Sequence, residues 1–255
     1  MVCSLSSAHG PPAADPDIVY KVAESRLERA AAFRLVYQAY TRSGLIDPNP
    51  FQMRVTPYHL LTTTQTFIAL LGGEVISTVS LMIDGQLGLP LEAIYGPEVN
   101  RLRDLGGRLG EVSALADRRK RLSRTMPVFV KLMRLMVQFA RRQGVEQLLV
   151  AVHPRHARFY QQVLHFEALG EQKSYPLVRN NPAVALCLDF DRLDRQRPAN
   201  YETFFGTPLG ADALACSPIT DAERAYFGPM AAVSGGFAVA SGTGNEHGLR
   251  LKAEG

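Results

Sequence analysis

One carboxylate of this chain lies in a setting that could perform acid–base chemistry. Glu111 follows Gly110 in a β-rich stretch and precedes Val112 and Ser113. A carboxylate on an inner strand costs free energy unless it is paired or is solvated in a cleft. Glu111 is therefore a candidate general base or ammonium-binding group, and the alternative is a surface glutamate on an edge strand.

A second polar stretch, residues 153–160, begins where a nearly continuous apolar run ends. A strand that ends at the first turn of a helix makes a natural ligand site, because unpaired N–H groups point outward there. Tyr160 follows a bulky apolar residue, which would direct it toward a cleft or leave it at the rim of the core. His153 and His156 suit a helix cap and a surface position. No third ligand accompanies them, so we expect no metal site.

The elements that would position these residues follow from hydrophobic periodicity. Residues 126–142 carry a narrow polar stripe on an otherwise apolar pattern, which predicts a helix lying across a sheet and capped by Thr125. The order of elements predicts an α/β fold, with a mixed central sheet flanked by helices on both faces. Strands are predicted over residues 18–23, 63–71, 74–83, 108–116, 145–152, 167–178 and 183–190, and helices over 27–42, 91–105, 126–142 and 155–164.

The local composition divides the chain into three parts. Residues 1–17 are rich in Pro, Ala and Ser and predict a flexible N-terminal lead. Residues 18–193 contain the periodic segments and form the predicted domain. Residues 194–255 predict a largely irregular or disordered C-terminal tail, partly docked at best, in which residues 213–227 could form a short helix with Ala222, Ala225 and Tyr226 facing inward. Residues 228–255 are dominated by Gly, Ala and Ser and bury too little apolar surface to offset the entropy of ordering.

The whole-chain composition excludes several classes of protein. Apolar residues make up 46% of the 255 residues and charged residues 20%, the balance of a water-soluble globular protein. No stretch approaches the roughly 18 apolar residues of a membrane helix, and the N-terminus has no secretory signal. The three cysteines are scattered, without disulfide or metal spacing. These features predict a cytoplasmic protein.

The net charge is +4, and the densest basic cluster follows the stretch that contains Glu111. Such a cluster is either a solvated loop or a site for an acidic partner. The sequence has no zinc-finger spacing, basic zipper or aromatic RNA-binding signature, so a nucleic-acid partner is not expected. The cluster comprises Arg118, Arg119, Lys120, Arg121 and Arg124.

The order of these elements resembles the GNAT acyltransferase superfamily, in which a tyrosine on a late helix precedes a Gly-Phe pair. Here Tyr160 precedes Phe166, and His165 replaces the glycine. The closer resemblance is to the long-chain N-acyl amino acid synthases of the FeeM type, relatives of the acyl-homoserine lactone synthases. It covers residues 20–190. The matching strings are Asp84 with residues 88–95, residues 98–103, 110–116 and 153–160, and Tyr175 with Pro176.

This resemblance implies an N-acyltransferase with an acyl thioester donor and a small amine, such as an amino acid, as the acceptor. Glu111 would deprotonate the amine, Tyr160 would protonate the departing thiolate, and N–H groups near residues 112–114 would stabilise the intermediate. No permanently bound cofactor is expected. Further substrate-binding candidates are Ser113, His153 and His156 and, for an acceptor carboxylate, Arg54, Arg101 and Arg155, among which the sequence does not choose.

The loop after Glu111 indicates the donor. Acetyl-CoA users of the GNAT superfamily place a glycine-rich pyrophosphate loop there, whereas residues 117–124 of this chain are basic and lack glycine. Such a loop suits an acidic acyl carrier protein, with acyl-phosphopantetheine as the donor group, better than CoA. The alternatives are a CoA-dependent GNAT N-acetyltransferase and a non-catalytic GNAT-like module that binds an acyl carrier protein.

A long acyl chain would need an apolar slot. Met126, Met133 and Met136 on the predicted helix 126–142 could line such a slot, or they could be ordinary core residues.

Overall fold

A mixed β-sheet runs through the protein. The computed structural model describes residues 18–119 and 122–234, and this part of the chain contains eight strands. They are β1 (Ile18–Val22), β2 (Thr64–Leu71), β3 (Glu74–Ile83), β4 (Leu109–Asp117), β5 (Gln147–Val152), β6 (Glu167–Ala168), β7 (Lys173–Tyr175) and β8 (Asn181–Asp189). The sheet order is β1-β2-β3-β4-β5-β8-β6, and β7 also pairs with β8. Neighbouring strands are antiparallel except β4 and β5, which are parallel.

Helices cover both faces of this sheet. They are α1 (Arg26–Arg42), α2 (Glu92–Asp104), α3 (Leu122–Arg142), α4 (Pro154–Leu164), α5 (Phe190–Gln196), α6 (Tyr201–Phe205) and α7 (Asp221–Ser234), with 3-10 helices at Pro57–Leu60 and Pro176–Val178. Among the described residues, no helix has the length and apolar character that crossing a lipid bilayer requires.

Alternating side chains along the strands feed separate cores on the two faces. Leu81 and Leu148 pack with α3 residues in one core. Their chain neighbours Met82 and Leu149 pack with α2 residues in another. The α1 helix packs on the same face as α2, where it covers Ala114 and the end of β4. The predicted α/β architecture, a mixed sheet flanked by helices on both faces, is confirmed.

Local sequence signals explain where the helices begin and end. A capping box starts α1, because Ser25 Oγ accepts from Glu28 N–H and the Glu28 carboxylate accepts from Ser25 N–H. Pro154 opens α4, where its missing N–H costs nothing. His165 ends α4 in the left-handed region, with a φ of 59°, at a position where glycine is usual.

Two predicted boundaries differ from the structure. The α3 helix begins at Leu122, so Thr125 lies within the helix and does not cap it. The single strand predicted over residues 167–178 is divided into β6 and β7. Pro176 ends β7 because it cannot donate to a strand ladder and starts a 3-10 helix instead.

The structure also differs from the expected irregular tail. Residues 190–234 form three helices that pack onto the domain, with Phe204 of α6 in the core of α3 and Phe227 of α7 fully buried. The apolar residues of this region are concentrated before residue 232, whereas the low-complexity composition belongs to its end. The helix expected within 213–227 corresponds in part to α7, but Ala222, Ala225 and Tyr226 are exposed and Phe227 is the buried residue. Residues 1–17 and 235–255 lie outside the described residues.

Candidate active site

A cavity of about 590 Å³ opens where β4, β5 and α4 meet the segment before the first 3-10 helix. Side chains from distant parts of the sequence converge on it. Of the predicted site residues, its lining includes Glu111, Ser113, Tyr160, Arg54, His153, Arg155 and His156.

The cavity exists because β4 and β5 separate. Their backbones pair over only three residues of each strand, and the last pair joins Glu111 to Leu149. Beyond that pair, residues 112–115 of β4 and 150–152 of β5 line the cavity. Ala114 has a φ of 52°, and the register of β4 against β3 shifts at this point, which marks a β-bulge. Beyond the last pair, the N–H and C=O groups that β4 and β5 direct toward each other therefore do not hydrogen-bond between the two strands.

Glu111 lies at the point of separation and is 3% exposed. Its Oε2 accepts a hydrogen bond of 2.8 Å from Leu91 N–H. Burial raises the pKa of the Glu111 carboxyl to about 8; the Leu91 N–H opposes this rise, and the charge of Glu92 adds to it. At neutral pH most molecules hold a proton on Glu111, yet the pKa is close enough to neutrality for exchange during a reaction.

The guanidinium group of Arg103 holds in place the loop whose Leu91 N–H donates to Glu111. Arg103 of α2 donates from Nε to Asp84 Oδ2 at 2.6 Å and from Nη1 to Glu92 Oε2 at 2.8 Å. The loop between β3 and α2 is thereby tied to α2, which holds Leu91 N–H against Glu111. The sequence assigned no role to Arg103, because nothing in its spacing shows that two separate carboxylates converge on it.

Tyr160 reaches the same cavity from α4. Its side chain is 6% exposed, and its ring packs edge-on against Phe159 and Phe166. Burial raises the pKa of the Tyr160 hydroxyl, and Tyr40 adds to the rise. None of the described residues hydrogen-bonds this hydroxyl. The phenol therefore stays protonated near neutral pH and has its proton free to donate.

Arg54 brings a cation to the cavity, and no carboxylate of the described residues pairs with it. Its guanidinium lies over the Tyr40 ring, 5.0 Å from the centroid. Burial lowers the pKa of Arg54, and the nearby Tyr40 and Tyr175 oppose this fall. A partly buried cation without an anionic partner costs free energy. An anionic ligand would offset that cost.

The other two arginines predicted for an acceptor carboxylate lie elsewhere. Arg155 is exposed at the cavity mouth, where its Nε is 3.0 Å from His156 Nε2. Arg101 is exposed on α2 and does not line the cavity. The structure thus brings Arg54 and Arg155 to the cavity and leaves Arg101 on the outer surface, because α2 directs its side chain away from the sheet.

His153 and His156, at the start of α4, have different surroundings. His153 caps α4, because its Nδ1 accepts from Arg155 N–H at 3.2 Å. Burial lowers the pKa of His156, and the nearby Arg155 charge lowers it further. In the described part of the chain, no cluster of His, Cys, Asp or Glu is arranged to hold a metal ion.

Several further cavity residues received no role from the sequence, among them Tyr40, Tyr58, His59 and Tyr175. His59 is informative, because Thr56 N–H donates to its Nδ1 at 3.0 Å. Burial lowers the pKa of His59 to about 3, and the Arg54 charge contributes to this fall. His59 is therefore neutral at physiological pH. On the wall of the cavity formed by Arg54, Thr56 and His59, the positive charge belongs to Arg54.

Of the basic cluster, the described residues Arg118 and Arg119 do not line the cavity. Arg118 pairs with Glu74 at 2.5 Å on the surface, and Arg119 pairs with Asp117 at 2.5 Å beside the end of β4. Lys120 and Arg121 lie outside the described residues, as does the side chain of Arg124.

Of the three methionines considered for an acyl slot, Met126 lines the cavity together with Phe129. Met133 and Met136 are buried core residues that pack between α3 and the sheet.

The family profile of the N-acyl amino acid synthase FeeM matches residues 31–189. The chain belongs to this family. The matched region contains β4, β5 and α4, and with them Glu111, Tyr160 and Arg54. This confirms the family resemblance found in the sequence and makes the chain an N-acyltransferase of GNAT-like fold. No curated protein sequence matches the chain.

Solved structures agree with this assignment. FeeM, an N-acyl amino acid synthase from uncultured soil microbes, is 26% identical, with a TM-score of 0.64, and the match covers 74% of this chain and 98% of that one. The AHL synthase LasI (13% identity, TM-score 0.52) matches 76% of this chain and 96% of its own. The CoA-dependent acyl-homoserine lactone synthase BjaI (20% identity, TM-score 0.54) matches 78% of this chain and 99% of its own. The last two likenesses show the fold.

The raised pKa of Glu111 predicts a pH-dependent loss of stability in this FeeM-family protein. A glutamate with an unperturbed pKa of 4.5 in the unfolded chain has a pKa of about 8 in the folded protein. The favourable contribution of the protonated group is therefore complete below pH 4.5 and is lost as the pH rises through about 8. Relative to Glu111→Gln, the wild-type free energy of unfolding should fall by up to about 1.4 kcal/mol per pH unit in this window.

Urea unfolding of both proteins across this pH range measures the difference. Glu202→Gln, an exposed position on α6, serves as the control and should follow the wild type at each pH. Parallel curves for wild type and Glu111→Gln would show that Glu111 has an ordinary pKa.

Proposed function

We propose that this protein transfers a long-chain acyl group from an acyl carrier protein thioester to the amine of an α-amino acid. The observation that carries the proposal is that one cavity holds both a buried carboxyl with a pKa of about 8 and an arginine with no carboxylate partner among the described residues. An α-amino acid offers an ammonium and a carboxylate, which are complementary to these two groups. The likeness to FeeM, named as an N-acyl amino acid synthase, supports the same acceptor class.

Glu111 and Tyr160 supply the proton transfers of this reaction. Ionised Glu111 accepts a proton from the acceptor ammonium, and the free amine then attacks the thioester carbonyl carbon. This forms a C–N bond and a tetrahedral oxyanion, which the N–H groups of residues 112–114 stabilise. Collapse of the intermediate breaks the C–S bond, and Tyr160 protonates the departing thiolate. The tyrosinate recovers a proton from the new amide nitrogen, and Glu111 releases its proton to solvent.

The gap between β4 and β5 suits the donor. Its unpaired backbone groups can hydrogen-bond the amides of a phosphopantetheine arm, as a neighbouring strand would. Apolar side chains at the same end, including Met126, Phe129 and Val152, offer a lining for the acyl chain. Donor and acceptor would thus meet beside Glu111, and holding them together supplies much of the rate.

The choice of carrier protein over CoA rests on the loop after β4. Residues 117–124 are basic and lack glycine, which disfavours a backbone cradle for a pyrophosphate. An acidic carrier surface could replace Glu74 as the partner of Arg118, whose side chain is 59% exposed. This exchange would give the docking step a strong dependence on salt.

The first prediction concerns turnover. Incubation of the protein with palmitoyl-acyl carrier protein and a mixture of amino acids should give N-palmitoyl amino acids, detected by mass spectrometry. Glu111→Gln should lower kcat/KM by about 10²- to 10⁴-fold, because it cannot accept the ammonium proton. Glu202→Gln should retain wild-type rates. Turnover with acetyl-CoA but never with palmitoyl-acyl carrier protein would contradict the donor assignment.

The second prediction concerns the acceptor carboxylate. Arg54→Gln should raise the KM for the preferred amino acid by about 10- to 100-fold, because a hydrogen-bonded charge is lost. The KM for the corresponding amino acid amide, which has no carboxylate, should change little. Arg101→Gln is the matched control, because Arg101 lies outside the cavity, and it should leave both values unchanged. An equal loss for acid and amide in Arg54→Gln would exclude carboxylate binding by Arg54.

The third prediction concerns docking of the carrier. Arg118→Glu combined with Arg121→Glu should raise the KM for palmitoyl-acyl carrier protein far more than the KM for palmitoyl-pantetheine, which lacks the carrier surface. The double control Arg34→Glu with Arg195→Glu makes the same charge change at exposed positions of α1 and α5 and should affect neither donor. Equal effects on the two donors would refute the docking role.

A further inference from the structure

Helix α7 lies beyond the family-matched residues 31–189, yet it packs behind the wall of the cavity that carries Arg54. In the segment before the first 3-10 helix, side chains alternate between two sides. Arg54 and Thr56 line the cavity. Met53 and Val55, which are 4% and 0% exposed, point the other way into a core that includes α7.

An aromatic chain connects α7 to this wall. Phe227 of α7 is fully buried and meets the Phe33 ring edge-on, with 5.2 Å between centroids. Phe33 in turn meets the His59 ring at 4.9 Å, and its backbone C=O accepts from Arg54 N–H at 3.1 Å. Phe33 therefore links the last helix to the backbone of Arg54 and to the neutral histidine beside it.

Polar contacts secure α7 in this position. Arg29 of α1 donates to Glu223 at 2.6 Å, and the two side chains are 6% and 9% exposed. Arg29 also donates to the Ser217 carbonyl at 2.6 Å, and Arg224 donates to the Leu60 carbonyl at 3.0 Å. The last contact joins α7 directly to the end of the 3-10 helix. A buried ion pair that loses one partner leaves an uncompensated charge, so this attachment is specific.

We infer that α7 is a positioning element of the acceptor site, which holds Arg54 in the geometry that binds the acceptor carboxylate. The inference rests on the proposed function, in which Arg54 binds that carboxylate. The core that contains α7 is formed with Met53, Val55 and residues of α1, and neither Glu111 nor the residues that line the gap between β4 and β5 belong to it. The effect of α7 should therefore fall on acceptor selection and spare the donor.

The test compares Phe227→Ala and the milder Phe227→Leu with wild type. For each protein, kcat/KM is measured with palmitoyl-acyl carrier protein for the amino acid that gives the most product and for its amide. The acid-to-amide ratio should fall by about tenfold in Phe227→Ala and by a smaller factor in Phe227→Leu, with the KM for the donor unchanged. In an Arg54→Gln background, Phe227→Leu should change the ratio no further, because both substitutions act through the same group.

Phe204→Ala is the matched control, because Phe204 is a similarly buried phenylalanine of the C-terminal region that packs on α3. It should lower the free energy of unfolding without changing the acid-to-amide ratio. An unchanged ratio in both Phe227 variants, together with a reduced ratio in Arg54→Gln, would overturn the role of α7 and leave the acceptor site standing. An unchanged ratio in Arg54→Gln as well would overturn both.

Hydrogen exchange gives a second readout that needs no turnover. Phe227→Leu should speed amide exchange in residues 52–60 and leave exchange in β4 and β5 unchanged. Uniform acceleration across the domain would indicate global destabilisation and would contradict a local positioning role.

Discussion

The separation of β4 from β5 is the constraint on which the rest of the site depends. Two parallel strands that stop pairing after three residues leave backbone groups that require partners. The bulge at Ala114 turns β4 away from its neighbour, and α3 and α4 cover the opening from one face. Glu111 occupies the last paired position, so its carboxyl lies where the sheet opens while its backbone is still held in a ladder. This combines a rigid backbone with a reactive side chain.

Glu111 and Arg54, which line the cavity, lack partners of opposite charge among the described residues. Several charged side chains outside the cavity are paired, as in the contacts of Arg103 with Asp84 and Glu92. Within the cavity, burial favours the protonated form of Glu111, and no carboxylate of the described residues pairs with Arg54. Folding stability alone would favour protein groups of opposite charge beside Glu111 and Arg54. The lack of such groups is understandable if a substrate supplies the opposite charges.

Periodicity predicted the layered fold and most element boundaries, because apolar alternation and helical spacing are local properties. Glu111 and Tyr160 were also predicted as site residues, from short sequence motifs and a family resemblance, and both line the cavity. The sequence could not choose between Arg54 and Arg101 as the candidate for an acceptor carboxylate. That choice depends on which side of the irregular segment around Arg54 faces the cavity. Phe227 received no functional role for a different reason: its ring contacts Phe33 of α1, which is distant in sequence, so no local pattern connects Phe227 to the cavity.

Burial of α7 against residues near the start of the domain also has a consequence for biosynthesis. The segments that contain Arg29, Phe33 and Arg54 emerge early from the ribosome, but their partners Glu223 and Phe227 are among the last described residues to be made. Contacts of such long sequence separation form late in folding. The strands around Glu111 can therefore assemble before the wall that carries Arg54 is fixed. In the proposed reaction, a chain still attached to the ribosome would hold Glu111 and Tyr160 in place before the acceptor site around Arg54 is fixed.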